Sequence, residues 1–144
     1  MRLTNFYSAQ KHTPGQSDTL KISVIVPTLN EASILEDSLR AISGLNPHEI
    51  IVVDGRSTDS TFLVAPRMVN LVITSKPGRA YQMNAGAKKA TGDLLLFMHV
   101  DNKLSFESFK KMKKTMLLTE SNGGAFTLQI ESNKASLKII SILA

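Results

Sequence analysis

"KISVIVPTLNEASILEDSLRAISG", Lys21 to Gly44, spells one strand, one loop and one helix in succession. Ile22 to Val26 is dense in β-branched residues, which favour extended chain. Pro27 has no N–H to give to a ladder and is expected to stop the strand. Asn30 is placed to cap the next helix. Ala32, Leu35, Leu39 and Ile42 then recur at helical spacing, and Gly44 reads as the stop just past the helix.

The same unit returns three more times. "EIIVVDG" (Glu49 to Gly55) is a second strand, followed by a short helix from Asp59 to about Pro66. "NLVITS" (Asn70 to Ser75) is a third, and "GRAYQMNAGAKKATG" (Gly78 to Gly92) a helix closed by Gly92, whose internal Gly86 costs helix stability. "DLLLFMHVD" (Asp93 to Asp101) is a fourth strand, with Leu94 to Met98 apolar enough to be buried on both faces. Ser105 to Leu118 is helical, with Phe106, Phe109, Met112 and Met116 on one face, and "GAFTLQIE" (Gly124 to Glu131) reads as a fifth strand. Near-continuous apolar strands alternating with helices define an α/β protein: three layers around a doubly wound, mostly parallel sheet. The units share no internal sequence repeat and no dividing linker interrupts residues 20–144, which are expected to form one domain behind a loose polar leader, residues 1–19.

The 144 residues suffice for one domain with a real core, and 42% hydrophobic with 20% charged residues is ordinary for a globular chain. With no cysteine there is neither a disulfide framework nor a thiolate metal site, which fits a reducing compartment. The net charge of +5 suits an anionic partner. Part of that excess is Lys110, Lys111, Lys113 and Lys114, which reads first as a solvated helix face. With 2 Tyr and no Trp, a stacking platform for single-stranded nucleic acid is poorly supported, and no nucleic-acid partner is expected. No stretch reaches the roughly 20 apolar residues of a membrane helix.

In an open α/β sheet, ligands bind beyond the carboxyl ends of the strands. Those ends carry Pro27-Thr28-Leu29-Asn30-Glu31, Asp54-Gly55-Arg56-Ser57-Thr58-Asp59, Ser75-Lys76-Pro77-Gly78-Arg79 and His99-Val100-Asp101-Asn102. Each Asp alone is most simply a turn or cap residue; four polar ends on one rim favour a site. The first loop has no glycine, so a dinucleotide fingerprint is excluded, and no phosphate loop of the G-x-x-x-x-G-K-[ST] type occurs. His12, His48 and His99 are scattered, which disfavours zinc.

"SVIVPTLNEASILEDSL", "EIIVVDGRSTDST", "GRAYQMNAGAKKATGDLLLFMHVD" and "GGAFTL" resemble, in that order, the N-terminal half of a family 2 glycosyltransferase. The resemblance covers about Lys21 to Ile130 and is nearest to a short bacterial subgroup associated with radical-SAM and selenium-type gene clusters. It implies a Rossmann-like GT-A fold, a nucleoside diphosphate sugar as donor, a divalent metal (Mn2+ or Mg2+), and inverting transfer to an unknown acceptor. Carried over by position, Pro27, Thr28, Asn30 and Glu31 line the nucleoside pocket, Asp54 accepts from the base, and Ser57 and Asp59 shape its loop. Lys76 and Arg79 lie near the base or diphosphate, Asn84 sits on the following helix, and Asp101 is the metal ligand. Many relatives have a second Asp where this chain has His99. Three roles are open to it: metal ligand, hydrogen-bond donor to a phosphate, or a group that orients Asp101, the last being favoured.

Asp54 ends a buried strand and can accept from an imide N–H such as uracil offers, so a UDP- or dTDP-type donor is favoured. "NKASLKIISILA" starts an apolar helix and stops at Ala144 without a cap, as if cut within an element. The acceptor half and its general base are therefore expected beyond Ala144, and the exposed Leu137 and Ile140 are expected to drive self-association or leave the chain marginally stable. The reading is a cytoplasmic transferase, with peripheral attachment to the inner face of the membrane and homo-oligomerisation left open. The alternatives are a donor-binding half-domain with little turnover, and a basic module that docks through Lys110 to Lys114.

Overall fold

The computed structural model describes residues 20–119 and 123–126. Four strands, β1 (Ile22–Thr28), β2 (Glu49–Asp54), β3 (Leu71–Thr74) and β4 (Leu94–Phe97), form one parallel sheet in the order β3-β2-β1-β4. Between and after them run α1 (Ala32–Ser43), α2 (Thr61–Val64) with a 3-10 turn at Ala65–Arg67, α3 (Arg79–Ala87) and α4 (Phe106–Leu118). The α/β, three-layer, doubly wound architecture expected from the four repeated units is present.

Strand alternation sorts the core into two layers. Ile22, Val24, Val26, Ile50, Val52, Leu96 and Met98 face Leu35, Leu39 and Ile42 of α1, Ala65 of the 3-10 turn and Phe109 of α4. Ile25, Ile51, Val53, Leu71, Ile73 and Leu95 face Ala85, Ala87 and Ala90 on the other side. Each fully buried Leu or Ile of α1 contributes about 1.5–3 kcal/mol of transfer free energy, enough to hold a 12-residue helix that has no side-chain cap.

Several local expectations are corrected. Pro27 does not end β1, which runs on to Thr28. Strand parity explains this: Ile25 O accepts from Met98 N on the β4 side, so the absent N–H of Pro27 faces the same side, beyond the last β1–β4 pair, Ile25↔Phe97. Asn30 does not cap α1; Glu31 holds that position, and Asn30 adopts φ 54. Gly44 is right-handed at φ −62, so it supplies no left-handed stop. The second helix begins at Thr61, not Asp59. Gly92 does not close α3; it lies against β1, where an added Cβ would stand 2.6 Å from Ser23 Oγ. β4 is an edge strand among the described residues, and Phe97 is 40% exposed, so burial on both faces is not reached.

Helix α4 forms as expected, with Ser105 accepting from Ser108 N as its N-cap and Phe109 buried, but Phe106 is 54% exposed and does not join Phe109 in the core. Lys110, Lys111 and Lys114 are exposed on it. No helix among the described residues is long and apolar enough to cross a membrane. Most of the expected fifth strand and all of the helix expected at 136–144 lie outside the described residues, as does the leader at 1–19.

Candidate functional site

The connection through α1 leaves β1 toward β2 over one face, and α3 returns the chain to β4 over the other. The strand order therefore reverses between β1 and β4, the position at which such sheets open a crevice. β4 leaves the ladder at Phe97, opposite Ile25, while β1 continues three residues further. The chain then turns back through His99–Asn102, closed by Asn102 N donating to His99 O at 3.0 Å. Val100 is buried in the core between half-buried His99 and exposed Asp101. Its anchorage is what holds Asp101 out at the strand mouth.

The β1–α1 and β2–α2 loops are clasped together. Asn30 N donates to Ser57 Oγ at 2.9 Å, and Asn30 Oδ1 accepts from Thr58 N at 2.8 Å and Thr58 Oγ1 at 3.2 Å. Glu31 N donates to Thr61 Oγ1 at 2.9 Å, and Ala32 N to Asp59 Oδ2 at 3.2 Å. Asp59 Oδ1 accepts from Thr61 N and Thr61 Oγ1. The Thr61 bonds hold the Asp59 carboxyl below its ordinary range. The N–H groups of Glu31 and Ala32 at the start of α1 are thus satisfied by Thr61 at the head of α2 and by Asp59 of the β2–α2 loop instead of a local cap. Asn30 Oδ1, Ser57 and Asp59 are taken up in this clasp.

Asp54 is 3% exposed, and its two oxygens are treated differently. Oδ2 accepts from Arg56 N and Ser57 N, both at 3.0 Å, fixing a loop in which Arg56 is left-handed at φ 68. Oδ1 is buried with no partner, and so is Oγ1 of Thr28, the residue in register with Asp54. Unpaired buried polar atoms are costly, and two side by side at a strand mouth call for a polar group brought from outside.

Glu31, His99, Asp101 and Arg79 share one neighbourhood. Burial pushes the Glu31 carboxyl up, the Asp101 charge pushes it further, and Leu29, His99 and Arg79 work against both. Lys76 and Arg79 are exposed on the segment that enters α3. Asn84 is exposed and stands apart from them, about 7.5 Å down the helix from Arg79 at 1.5 Å per residue.

Among the described residues, no three His, Asp or Glu side chains are grouped to hold a metal ion. A hard cation bound together with a diphosphate needs only one or two protein carboxylates, the rest of its shell being phosphate oxygens and water. The exposed carboxylate of Asp101 fits that requirement.

Two residues escaped the sequence reading. Thr61 is fully buried in the clasp. Gln82 is 3% exposed, and its Nε2 donates to Thr28 O at 2.7 Å and Val53 O at 2.9 Å. The available signal was a glutamine one helical turn before Gly86, on the face of α3 that meets the sheet.

Fold and rim together define a parallel α/β domain of the doubly wound class with a polar, partly acidic switch point. The model of glycosyl transferase family 2 matches residues 23–131, and the chain belongs to that family. A PGL/p-HBAD biosynthesis glycosyltransferase of Mycobacterium tuberculosis is 36% identical over 91 residues, covering 57% of this chain and 36% of that protein. A dolichol-phosphate mannosyltransferase of Pyrococcus furiosus is 35% identical over 92 residues, covering 57% of this chain and 26% of that one. Glucosyl-3-phosphoglycerate synthase of M. tuberculosis, solved with Mn2+, uridine diphosphate and glucosyl-3-phosphoglycerate, superposes with a TM-score of 0.53 at 27% identity, covering 64% of this chain and 40% of that one. The chain spans about a third of the length of the curated relatives it matches, and its sheet is the Rossmann-like part of the GT-A fold seen in the solved neighbour.

Proposed function

We propose that this chain binds the donor of a glycosyltransferase that moves a sugar from a nucleoside diphosphate, of UDP or dTDP type, to an acceptor with inversion. The observation that carries this reading is the pair of buried, unpartnered atoms Asp54 Oδ1 and Thr28 Oγ1 at the strand mouths beside the β1–β4 switch point of a family 2 chain. Asp54 Oδ1, buried without a partner, would accept the imide N–H of the base, with Pro27, Thr28, Asn30 and Glu31 around the nucleoside and Ser57 and Asp59 holding the loop. Lys76 and Arg79 would offset diphosphate charge. Asp101 would hold Mn2+ or Mg2+, with His99 orienting it. A cation bound there neutralises the charge that develops on the leaving diphosphate. Membership of the short bacterial subgroup named above, a cytoplasmic setting that includes the inner face of the membrane, and the general base on the acceptor side belong to the same proposal.

Titration calorimetry with UDP, dTDP, ADP and CDP, in Mn2+ and in EDTA, tests it. UDP and dTDP should bind more tightly than ADP and CDP. Asp54→Ala should weaken UDP roughly ten-fold or more, the equivalent of losing a charge-assisted bond worth about 1.5–3 kcal/mol. Asp101→Asn should abolish the Mn2+-dependent part of binding, with stability within about 0.5 kcal/mol of the parent because the side chain is exposed. Equal affinity for all four diphosphates removes Asp54 from base recognition, and metal-dependent binding that survives in Asp101→Asn removes that residue from the cation.

A further inference from the structure

We propose that Gln82 is a positioning residue for the donor site: its amide staples the last rung between β1 and β2, and so sets where Thr28, Asp54 and both clasped loops stand. The inference rests on the nucleotide-binding reading above and extends it to a residue on another element. Both donors of Nε2 are used, on Thr28 O at 2.7 Å and Val53 O at 2.9 Å. Because both partners are carbonyls, only one amide orientation satisfies them. Thr28 O also accepts Gly55 N at 2.9 Å, so a ladder bond and the staple meet on one oxygen at the point where the strands end. Gly55 is buried beneath the amide, where an added Cβ would stand 3.1 Å from Nε2, leaving the staple little room to shift.

The rung concerned is Thr28↔Asp54, the pair whose Oγ1 and Oδ1 are buried without partners. Groups that must meet a ligand edge tolerate only a few tenths of an ångström of misplacement. A buried amide reaching from α3 to two strand ends supplies that fixity. It also ties Arg79, one turn earlier on the same helix, to the same rung.

Gln82→Met keeps the length and loses both donors; Gln82→Glu keeps the shape and changes the donors. Amide exchange by NMR on the full chain should be at least ten-fold faster at Gly55 in Gln82→Met, with Val24 and Ile51 in mid-strand unchanged. UDP affinity in Mn2+ should fall ten-fold or more, while Glu49→Gln, at the opposite end of the sheet, should stay within two-fold of the parent. In Gln82→Glu the introduced carboxyl regains one O–H donor when protonated, so its affinity relative to the parent should recover between pH 7.5 and 5.5. The parent carries the same Asp54, Glu31 and Asp101 carboxylates, so the ratio reports the introduced carboxyl.

Unchanged Gly55 exchange overturns the staple, and faster exchange with unchanged UDP affinity overturns its role in the site. If Gln82→Met does not fold, a pH-independent ratio for Gln82→Glu overturns the inference by itself. A parent chain that binds no nucleoside diphosphate overturns the reading beneath it, which is a different result from a parent that binds and a variant that binds equally well.

Discussion

Gly86 shows how one residue type can carry opposite meanings. In a helix it costs about 1 kcal/mol against alanine. Here a Cβ would stand 2.5 Å from Ile25 Cγ2 and 3.0 Å from Val53 Cγ2, and both are β-branched, fully buried and stiff at χ1. Overpacking costs about 1–3 kcal/mol, and a 2.5 Å approach to a stiff buried side chain belongs in the upper part of that range, so after the helix gain Gly86→Ala should be destabilised by about 1–2 kcal/mol in urea unfolding. A midpoint at or above that of the parent would mean that α3 can lift away freely. Arg56 is the reverse case. A left-handed non-glycine residue costs about 1–2 kcal/mol, and glycine there gives back about 0.5–1 kcal/mol as unfolded-chain entropy. Arg56→Gly should therefore gain on the order of 0.5 kcal/mol in a thermal melt; a loss would show that the guanidinium makes a compensating contact. Neither environment was legible in the sequence, where Gly86 reads only as a weak point. Gln82 was silent for the same reason: its partners are backbone carbonyls 54 and 29 residues away.

At the scale of elements, the strands were legible because their apolar runs must be buried whatever surrounds them. Their lengths and neighbours were not. That Pro27 is tolerated depends on where β4 stops, and that Phe97 is exposed depends on β4 being at an edge. The amino ends of the strands are joined by a network no motif announced. Glu49 Oε1 on β2 accepts from Ser23 Oγ on β1 at 2.6 Å, and from Thr91 N at 2.6 Å and Thr91 Oγ1 at 2.9 Å in the α3–β4 loop. Ser23 Oγ in turn accepts from Gly92 N at 2.9 Å. Burial pushes the Glu49 carboxyl up, but the Ser23 and Thr91 bonds outweigh it and hold it below its ordinary value. A depressed carboxyl contributes stability that is complete above its unfolded pKa and lost as pH falls through the folded one. Solvent reaches part of the group, so Glu49→Gln should cost only about 1 kcal/mol at pH 7. That deficit should shrink below about pH 4.5 in urea titrations, where the parent's carboxylate begins to take up protons. A deficit that stays constant down to pH 3 would show that the charge is immaterial.

For the molecule as a whole, the order β3-β2-β1-β4 brings Ile22 beside Leu94, so the central strand cannot be paired on both sides until most of the described chain is in place. Chain entropy must be spent before such contacts form, and refolding is expected on the order of milliseconds to seconds. Stopped-flow fluorescence of a Phe109→Trp reporter would measure this; a microsecond phase carrying the whole amplitude would contradict it. The topology class was legible from four repeated units, and the donor rim followed from it. The clasp and the staple were not, because they join side chains to loops that the sequence keeps far apart. The two ends of this sheet are built on different terms: one bolted shut by Glu49, Ser23 and Thr91, the other held open by loops that grip each other and leave Asp54 and Thr28 unanswered. A mutational library would feel the difference as two separate axes. Changes at the bolted end would register as yield of folded protein, and changes at the open end as choice of ligand, so descendants of this chain could alter what they bind without renegotiating how they fold.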